Sequence, residues 1–157
     1  MWKRWLVVVV VVVGGAATWW VLAHRRSDRA LIDELIAKAE HGVETKSVDE
    51  IMGCVAEDYH DELGFNRTDI WRLAQHWIRT PDEADVVVED YSVHIQPPRA
   101  TGQLAVNVMM TRDGRQMPPL PLELTVRFEK ERRGWRRVWL VESVTGQNLG
   151  RVFEDVM

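Results

Sequence analysis

The chain has 157 residues, of which 46% are hydrophobic and 28% charged, and its formal net charge is −4. This balance excludes an intrinsically disordered chain, and the length allows one domain with an appendage. The single cysteine, Cys54, excludes an internal disulfide and therefore any fold built on disulfides.

The first element along the chain is an apolar segment that carries no charge from Trp5 to Ala23. As an α-helix its 19 residues would span about 28 Å, close to the ~30 Å hydrocarbon core of a bilayer. Side chains that prefer the membrane interface stand at both ends, namely Trp2, Lys3, Arg4, Trp5, Trp19, Trp20, Arg25 and Arg26. We therefore expect a transmembrane helix within a membrane anchor at residues 1–26, followed by one domain at residues 27–157.

A cleaved signal peptide is the alternative interpretation of the same segment. Lys3 and Arg4 form a basic start, Leu6–Val13 forms a short apolar core, and Ala17 and Ala23 are small residues of the kind that signal peptidase accepts. Basic residues flank both ends of the segment, so the positive-inside rule gives no clear orientation. The very short tail before the segment favours a single-pass protein of the inner or plasma membrane, with its domain on the extracytoplasmic side.

The chain behind this segment is acidic. Four of the 20 basic residues precede Asp28, the first acid, so the domain has 16 basic and 24 acidic residues and a net charge of −8. This charge disfavours bulk binding to nucleic acid, and we expect no nucleic-acid partner. Basic residues cluster between Arg127 and Arg137, which indicates either a solvated turn or a contact with anionic lipid headgroups.

Apolar residues then recur with the spacing of an α-helix. The first helix contains the apolar positions of Leu31–Ala39 and is expected to stop at Gly42. The second begins at Ser47, which has capping-box spacing to Glu50, and its buried face is expected to continue as far as Tyr59.

The stretch "DYHDE" at residues 58–62 raises the question of a catalytic or metal-binding cluster. Consecutive helical residues point apart by about 100°, so these side chains cannot all converge on one ion. No second His or Cys stands nearby at the spacing of metal ligands, and Gly64 suits a turn. The sequence predicts a solvated elbow, with a functional cluster as the alternative. The third helix follows, capped by Asn66 with Asp69 at its third position and closed by Pro81.

From Ala84 the apolar period changes to two, which is typical of β-strands. The phase slips at Glu89–Asp90, which predicts a bulge in the first strand. Further strands are expected at "QLAVNVMMT", "LELTVRFEKE" and "WRRVWLVESV", and a tight "RRG" turn joins the last two into a hairpin. Helices followed by antiparallel strands predict an α+β domain in which a curved sheet wraps three helices.

The order of these elements resembles the nuclear transport factor 2-like superfamily, also called SnoaL-like or ketosteroid isomerase-like. The resemblance covers Leu31 to Val144 and includes "AEDY" at residues 56–59, "RTDIWRL" at residues 67–73 and the strand start at Trp135–Val138. It implies a cone-shaped domain whose helices and concave sheet enclose a pocket, often in a homodimer packed sheet to sheet. None of these stretches is a catalytic signature, and the fold hosts enzymes and non-catalytic modules alike.

Few residues are candidates for chemistry. Isomerase-like members of the superfamily place a tyrosine donor on the first helix, where this chain has only apolar inward positions within Leu31–Ile36. The weak catalytic candidates are Tyr59, Tyr91 and His94, and the last two point to opposite faces of one strand, so only one of them can line the cone. Aromatic residues that could line a ligand pocket, or simply belong to the core, are Tyr59, Trp71, Trp77, Tyr91 and Trp139.

Two functions from different classes are consistent with this pattern. The favoured one is a non-catalytic binding or assembly module of the bacterial cell envelope, anchored through residues 5–23, with a protein partner or a small apolar ligand. The alternative is a small cofactor-independent lyase or isomerase that uses a pocket tyrosine, Tyr59 or Tyr91, with a buried acid. No metal and no cofactor are predicted for either function.

Overall fold

The computed structural model describes residues 27–80, 83–134 and 136–147. The predicted membrane anchor at residues 1–26 lies outside these ranges. Within them, no helix is both long and apolar enough to cross a bilayer. The described residues form three helices and an antiparallel sheet, so the predicted α+β class is confirmed.

The helices precede the sheet in the chain. They are α1 (Asp28–Glu44), α2 (Val48–Cys54) and α3 (Arg67–Trp77). The strands are β1 (Glu83–Gln96), β2 (Arg99–Arg112), β3 (Arg115–Gln116), β4 (Leu120–Arg133) and β5 (Arg136–Gln147). The strands pair in the order β1-β2-β4-β5, and the short β3 pairs with the end of β2.

The sheet has one face toward the helices and one toward solvent. Along β2, the side chains that face the helices are buried and those between them are more exposed. The predicted bulge in β1 is confirmed, because the register against β2 shifts between Val88 and Asp90. A second shift lies between Arg127 and Phe128 in the pairing of β4 with β5. Bulges bend strands and increase their twist, which helps the sheet to curve around the helices.

The starts of the helices follow their capping residues. Ser27 and Ser47 accept backbone N–H groups of α1 and α2, and the capping box from Asn66 to Asp69 is complete. The predicted stop at Gly42 is wrong, since α1 continues past it. A Cβ atom at Gly42 would lie 3.1 Å from the backbone nitrogen of Ile51, so this glycine permits close packing of α1 on α2.

The second helix is shorter than its sequence pattern predicts. It ends at Cys54 and does not reach Tyr59. The chain instead leaves the helix to pair with the edge of β5, where the Ala56 amide donates to the Val141 carbonyl at 2.9 Å. An edge strand offers unpaired backbone groups, and this contact satisfies some of them.

The hydrophobic core lies between the helices and the concave face of the sheet. Ile32 from α1 and Phe128 from β4 are fully buried there, and Trp139 from β5 is 3% exposed. This packing fixes α1 across the sheet. The rest of the concave face borders the cavities between the helices and the sheet.

Candidate functional site

Two apolar cavities lie between the helices and the concave face of the sheet, with volumes of about 200 and 280 Å³. The smaller is bounded by α1 and the middle of the sheet, and the larger by α2, α3 and the ends of β2 and β4. They adjoin, because both are lined by Val43, Val86, Val106 and Leu124. We call these two spaces together the cone cavity.

Glu40 is the charged residue that lines the cone cavity, on the side of α1. Its Oε1 accepts a hydrogen bond from the backbone N–H of Val88 at 3.0 Å, next to the bulge in β1. A carboxylate has about four lone-pair sites, so this bond leaves acceptor capacity on Glu40, although the surface of the cavity itself is apolar.

Trp77 brings a second polar group close to the cone cavity. It stands at the end of α3 and lines the larger space. Its Nε1 is buried and has no hydrogen-bond acceptor. Leaving a buried donor unpaired costs about 1–3 kcal/mol, so an acceptor on a bound ligand would relieve that cost.

Of the five aromatic pocket candidates, Trp77 is the one whose side chain lines the cone cavity in the described part of the chain. Trp71 is 47% exposed on α3. Trp139 is buried in the core, and its Nε1 donates to Asp28 Oδ1 at 3.1 Å. Both tryptophans therefore lie outside the cavity.

Tyr59 lies in the turn between α2 and α3. Its hydroxyl donates to Asp61 Oδ2 at 3.0 Å, and both side chains are 5% exposed. Asp61 Oδ1 accepts the backbone N–H groups of Leu63 and Phe65 at 3.0 and 2.9 Å. Burial, together with the Asp61 carboxylate, raises the pKa of Tyr59 above its ordinary value. The elbow is therefore organised by a buried acid, and the prediction that its acids are all solvated is wrong for Asp61.

Tyr91 and His94 point to opposite faces of β1, as the strand period predicts. The Tyr91 hydroxyl donates to Asp33 Oδ1 at 2.9 Å, and the Arg29 guanidinium lies 4.9 Å from the centre of the Tyr91 ring. His94 is exposed, with its Nε2 2.9 Å from the side-chain nitrogen of Gln96. Neither Tyr91 nor His94 lines the cone cavity.

Glu40 is absent from the residues that the sequence singles out, although a signal exists. It follows Ile36 by four residues, so both fall on the same side of α1. An acid on the otherwise apolar inward stripe of a helix is unusual, because burying a carboxylate is costly unless it is paired. Its partner, the Val88 amide, comes from a strand far along the chain and is not visible in the local pattern.

A separate group of acids lies outside the cone cavity. Asp58, Glu129 and Glu131 place carboxylate oxygens within 4.8 Å of one another, a spacing that a hard cation could bridge. Burial and the neighbouring carboxylates of Asp58 and Glu131 raise the pKa of Glu129 to about 7. A proton on Glu129 relieves the same repulsion, so the geometry does not by itself indicate a metal site.

The chemistry open to the cone cavity follows from its lining. Apolar walls bind an apolar body. The Trp77 N–H and the Glu40 carboxylate lie behind this apolar surface, so a ligand would have to shift a side chain to reach either group. Among the described residues that line the cavity there is no His, Cys, Ser or Lys.

The architecture matches that of solved proteins. A type 2 hexachlorocyclohexane dehydrochlorinase, LinA, is similar to this chain with a TM-score of 0.63 and 16% identity, over 75% of this chain and 82% of the other. A nuclear transport factor 2-like superfamily protein from Salmonella enterica gives a TM-score of 0.63 and 10% identity, over 74% and 87%. The chain has the nuclear transport factor 2-like fold.

A function-unknown protein from Mycobacterium tuberculosis is also similar to this chain in structure, with a TM-score of 0.63 and 20% identity, over 74% of this chain and 72% of the other. No protein-family model and no curated protein matches the sequence. At such identities the likeness establishes the nuclear transport factor 2-like fold, and the activity has to be argued from the site itself.

Proposed function

We propose that this chain is a membrane-anchored binding module that takes up a small apolar ligand in the cone cavity. The observation that carries the proposal is the apolar surface of two adjoining cavities. Their linings include one charged residue, Glu40, and one residue with a buried and unpaired N–H, Trp77. Attachment to the membrane through residues 5–23 is part of the proposal and rests on the sequence.

The lining also indicates the class of ligand. Val43, Val86, Val106 and Leu124 offer no hydrogen bond, so the body of the ligand must be apolar. An acceptor atom at one end would pair with the Trp77 Nε1. A hydroxyl or amine at the other end would pair with Glu40. Small lipids and terpenoid-like molecules with one or two polar ends have this chemistry.

The direct test is to extract and identify small molecules from the full chain purified from its native membrane. Trp77→Phe keeps the apolar wall and removes the donor, so the recovered ligand should fall about 2- to 10-fold, the value of one hydrogen bond. Trp71→Phe, on the same helix but outside the cavity, is the matched control and should leave recovery unchanged. Equal recovery from both variants would refute the role of Trp77, and no ligand from any sample would refute the proposed function.

A lyase or isomerase is the second candidate function. Glu40 favours it, since a carboxylate at an apolar wall can serve as a general base toward a bound C–H group. The dehydrochlorinase LinA shares the fold, and hexachlorocyclohexane is therefore a suitable probe. Glu40→Gln should abolish any turnover, whereas Glu44→Gln, at the exposed end of the same helix, should not. Turnover that survives Glu40→Gln would exclude Glu40 as the base.

A homodimer packed sheet to sheet stays a prediction. Light scattering on the purified full chain, corrected for bound detergent, would show twice the mass of one chain if the prediction holds. The mass of a single chain would contradict it.

A further inference from the structure

The hairpin of β4 and β5 ends in four exposed arginines, Arg132, Arg133, Arg136 and Arg137, which we call the arginine tip. The register places Arg132 opposite Arg137 and Arg133 opposite Arg136. Like charges directly opposite each other on neighbouring strands destabilise a sheet. Arg133 approaches one acid, with its Nε 3.9 Å from Glu131 Oε2. The tip is thus a concentration of positive charge that an anionic partner would stabilise.

Asp28, at the start of α1, is bonded to residues at the base of the arginine tip. Asp28 Oδ1 accepts the Lys130 ammonium at 2.5 Å and the Trp139 indole N–H at 3.1 Å. Lys130 pairs with Trp139 across the hairpin, two residues farther from its turn than the pair of Arg132 and Arg137. At about 3.4 Å per residue along a strand, the first arginine pair lies roughly 7 Å beyond the contact with Asp28.

The same contact sets the distance between the tip and the membrane. Ala23 ends the uncharged segment and Asp28 follows it by five residues. Five residues span at most about 17 Å when fully extended. A bilayer entered at Ala23 would therefore have its headgroup layer within reach of the arginine tip. Arg25 and Arg26 lie between these two points in the sequence and are also basic.

The rest of the domain is negatively charged, so the arginine tip would orient the domain on an anionic surface. The net charge behind Asp28 is −8, so an anionic surface repels the domain as a whole. Such a surface attracts the arginine tip. Each arginine close to the surface increases the binding constant about fivefold. Nucleic acid carries the same phosphate chemistry, but it has no link to Ala23 and would face the repulsion of the whole domain.

We propose that the arginine tip docks on anionic lipid headgroups and holds the cone upright on the membrane. This inference rests on the proposed attachment through residues 5–23. Leu122, which lines the cavity near Trp77, is ten residues from Arg132 along β4, or about 33 Å in an extended strand. Docking through the tip consequently turns the Trp77 end of the cone cavity away from the bilayer, toward ligands that arrive through water.

The test uses the full chain in lipid nanodiscs and the arginine-selective reagent phenylglyoxal, with labelling read by mass spectrometry at each arginine. Discs of phosphatidylcholine alone are compared with discs that contain phosphatidylglycerol. We expect the anionic lipid to slow labelling of the tip severalfold and high salt to restore it, because the Debye length falls from ~10 Å at 0.1 M to ~3 Å at 1 M. Arg112 and Arg115, exposed at the opposite end of the sheet, are internal controls and should label equally in both discs.

A charge-removing pair of variants completes the test. The double variant Arg132→Gln, Arg137→Gln removes one facing pair and should lower the docked-to-free ratio, read at Arg133 and Arg136, by about 30-fold. The double variant Arg112→Gln, Arg115→Gln makes the same change in charge and should keep the protection. Removing a like-charged pair should not impair folding, which a thermal melt checks.

The outcomes separate the docking from the attachment. A chain that does not enter the discs refutes the attachment and the docking with it. A chain that enters anionic discs and labels at the tip as fast as in phosphatidylcholine refutes the docking alone. Equal protection in phosphatidylcholine discs supplied with inorganic phosphate, or with an oligonucleotide, would assign the tip to those anions and also overturn the proposal.

Discussion

Filling the cone cavity with a larger side chain tests whether the space is available to a ligand. Val86 lines both cavities, and its neighbour Val87 on β1 points to the outer face and is 40% exposed. The variants Val86→Phe and Val87→Phe therefore make the same chemical change on the two faces of one strand. They differ only in whether the ring enters the cavity.

The sign of the stability change at Val86 is decisive. The free energy gained by filling a cavity is about 24 cal/mol per Å³, so a ring that fills about 40 Å³ of the available space stabilises by about 1 kcal/mol. A core without such space would instead be overpacked and lose about 1–3 kcal/mol. The cavities of about 200 and 280 Å³ predict the gain. Val87→Phe, on the surface, should stay within about 0.5 kcal/mol of the parent protein.

Thermal unfolding of the full chain in detergent, followed by near-ultraviolet circular dichroism, measures this difference. A gain of about 1 kcal/mol raises the melting temperature by about 3–5 °C for a domain of this size. Val86→Phe should melt higher by that amount and should retain less of the bound ligand. A melting temperature several degrees below that of Val87→Phe would show that the interior is already filled and would refute the cavity as a binding site.

Three further predictions concern ionisable groups away from the cavity. Tyr59→Phe removes the donor to the buried Asp61 and should cost about 1–3 kcal/mol in urea unfolding; loss of turnover without loss of stability would instead assign Tyr59 to catalysis. The pKa of Glu129 is raised to about 7, so the native state loses stability as pH rises from about 4.5 to about 7. Glu129→Gln should consequently raise the free energy of unfolding by about 1–2 kcal/mol at pH 8, after screening by solvent, and by almost nothing at pH 4. A gain in stability that does not depend on pH would contradict this prediction. The Lys130 ammonium lowers the pKa of Asp28 below 3.8, so the contribution of Asp28 is present above that pH and is lost as pH falls through the folded pKa. Asp28→Asn should cost about 1–2 kcal/mol at pH 7, and the deficit should vanish in acid titrations; an equal deficit at pH 2 would contradict the ion pair.

Features set by neighbouring residues could be predicted from the sequence. The cap at Asn66 with Asp69 depends on residues three apart, and the structure contains both hydrogen bonds of the box. A slip in the period of two at Glu89–Asp90 predicts the bulge, and the register shifts there. The turn at Gly134 has φ of +62°, a conformation that suits glycine and that the hairpin pattern requires.

Features set by distant residues could not be predicted in this way. α2 ends early because β5, nearly ninety residues further on, offers backbone partners to Ala56. Asp28 is bonded to Lys130 and Trp139 across more than a hundred residues, so its role at the base of the arginine tip is invisible to local patterns. Glu40 belongs to the same class, because its partner Val88 lies 48 residues away. The fold class thus follows from local periodicity, while the polar groups of the site depend on tertiary pairing.

Native mass spectrometry of the full chain, released from nanodiscs made of its native membrane, tests the central claim most directly. The account predicts one small molecule bound per chain in the parent protein and in Val87→Phe, and a smaller bound fraction in Val86→Phe. A bare chain in all three samples, or an equal adduct in both variants, would contradict binding in the cone cavity.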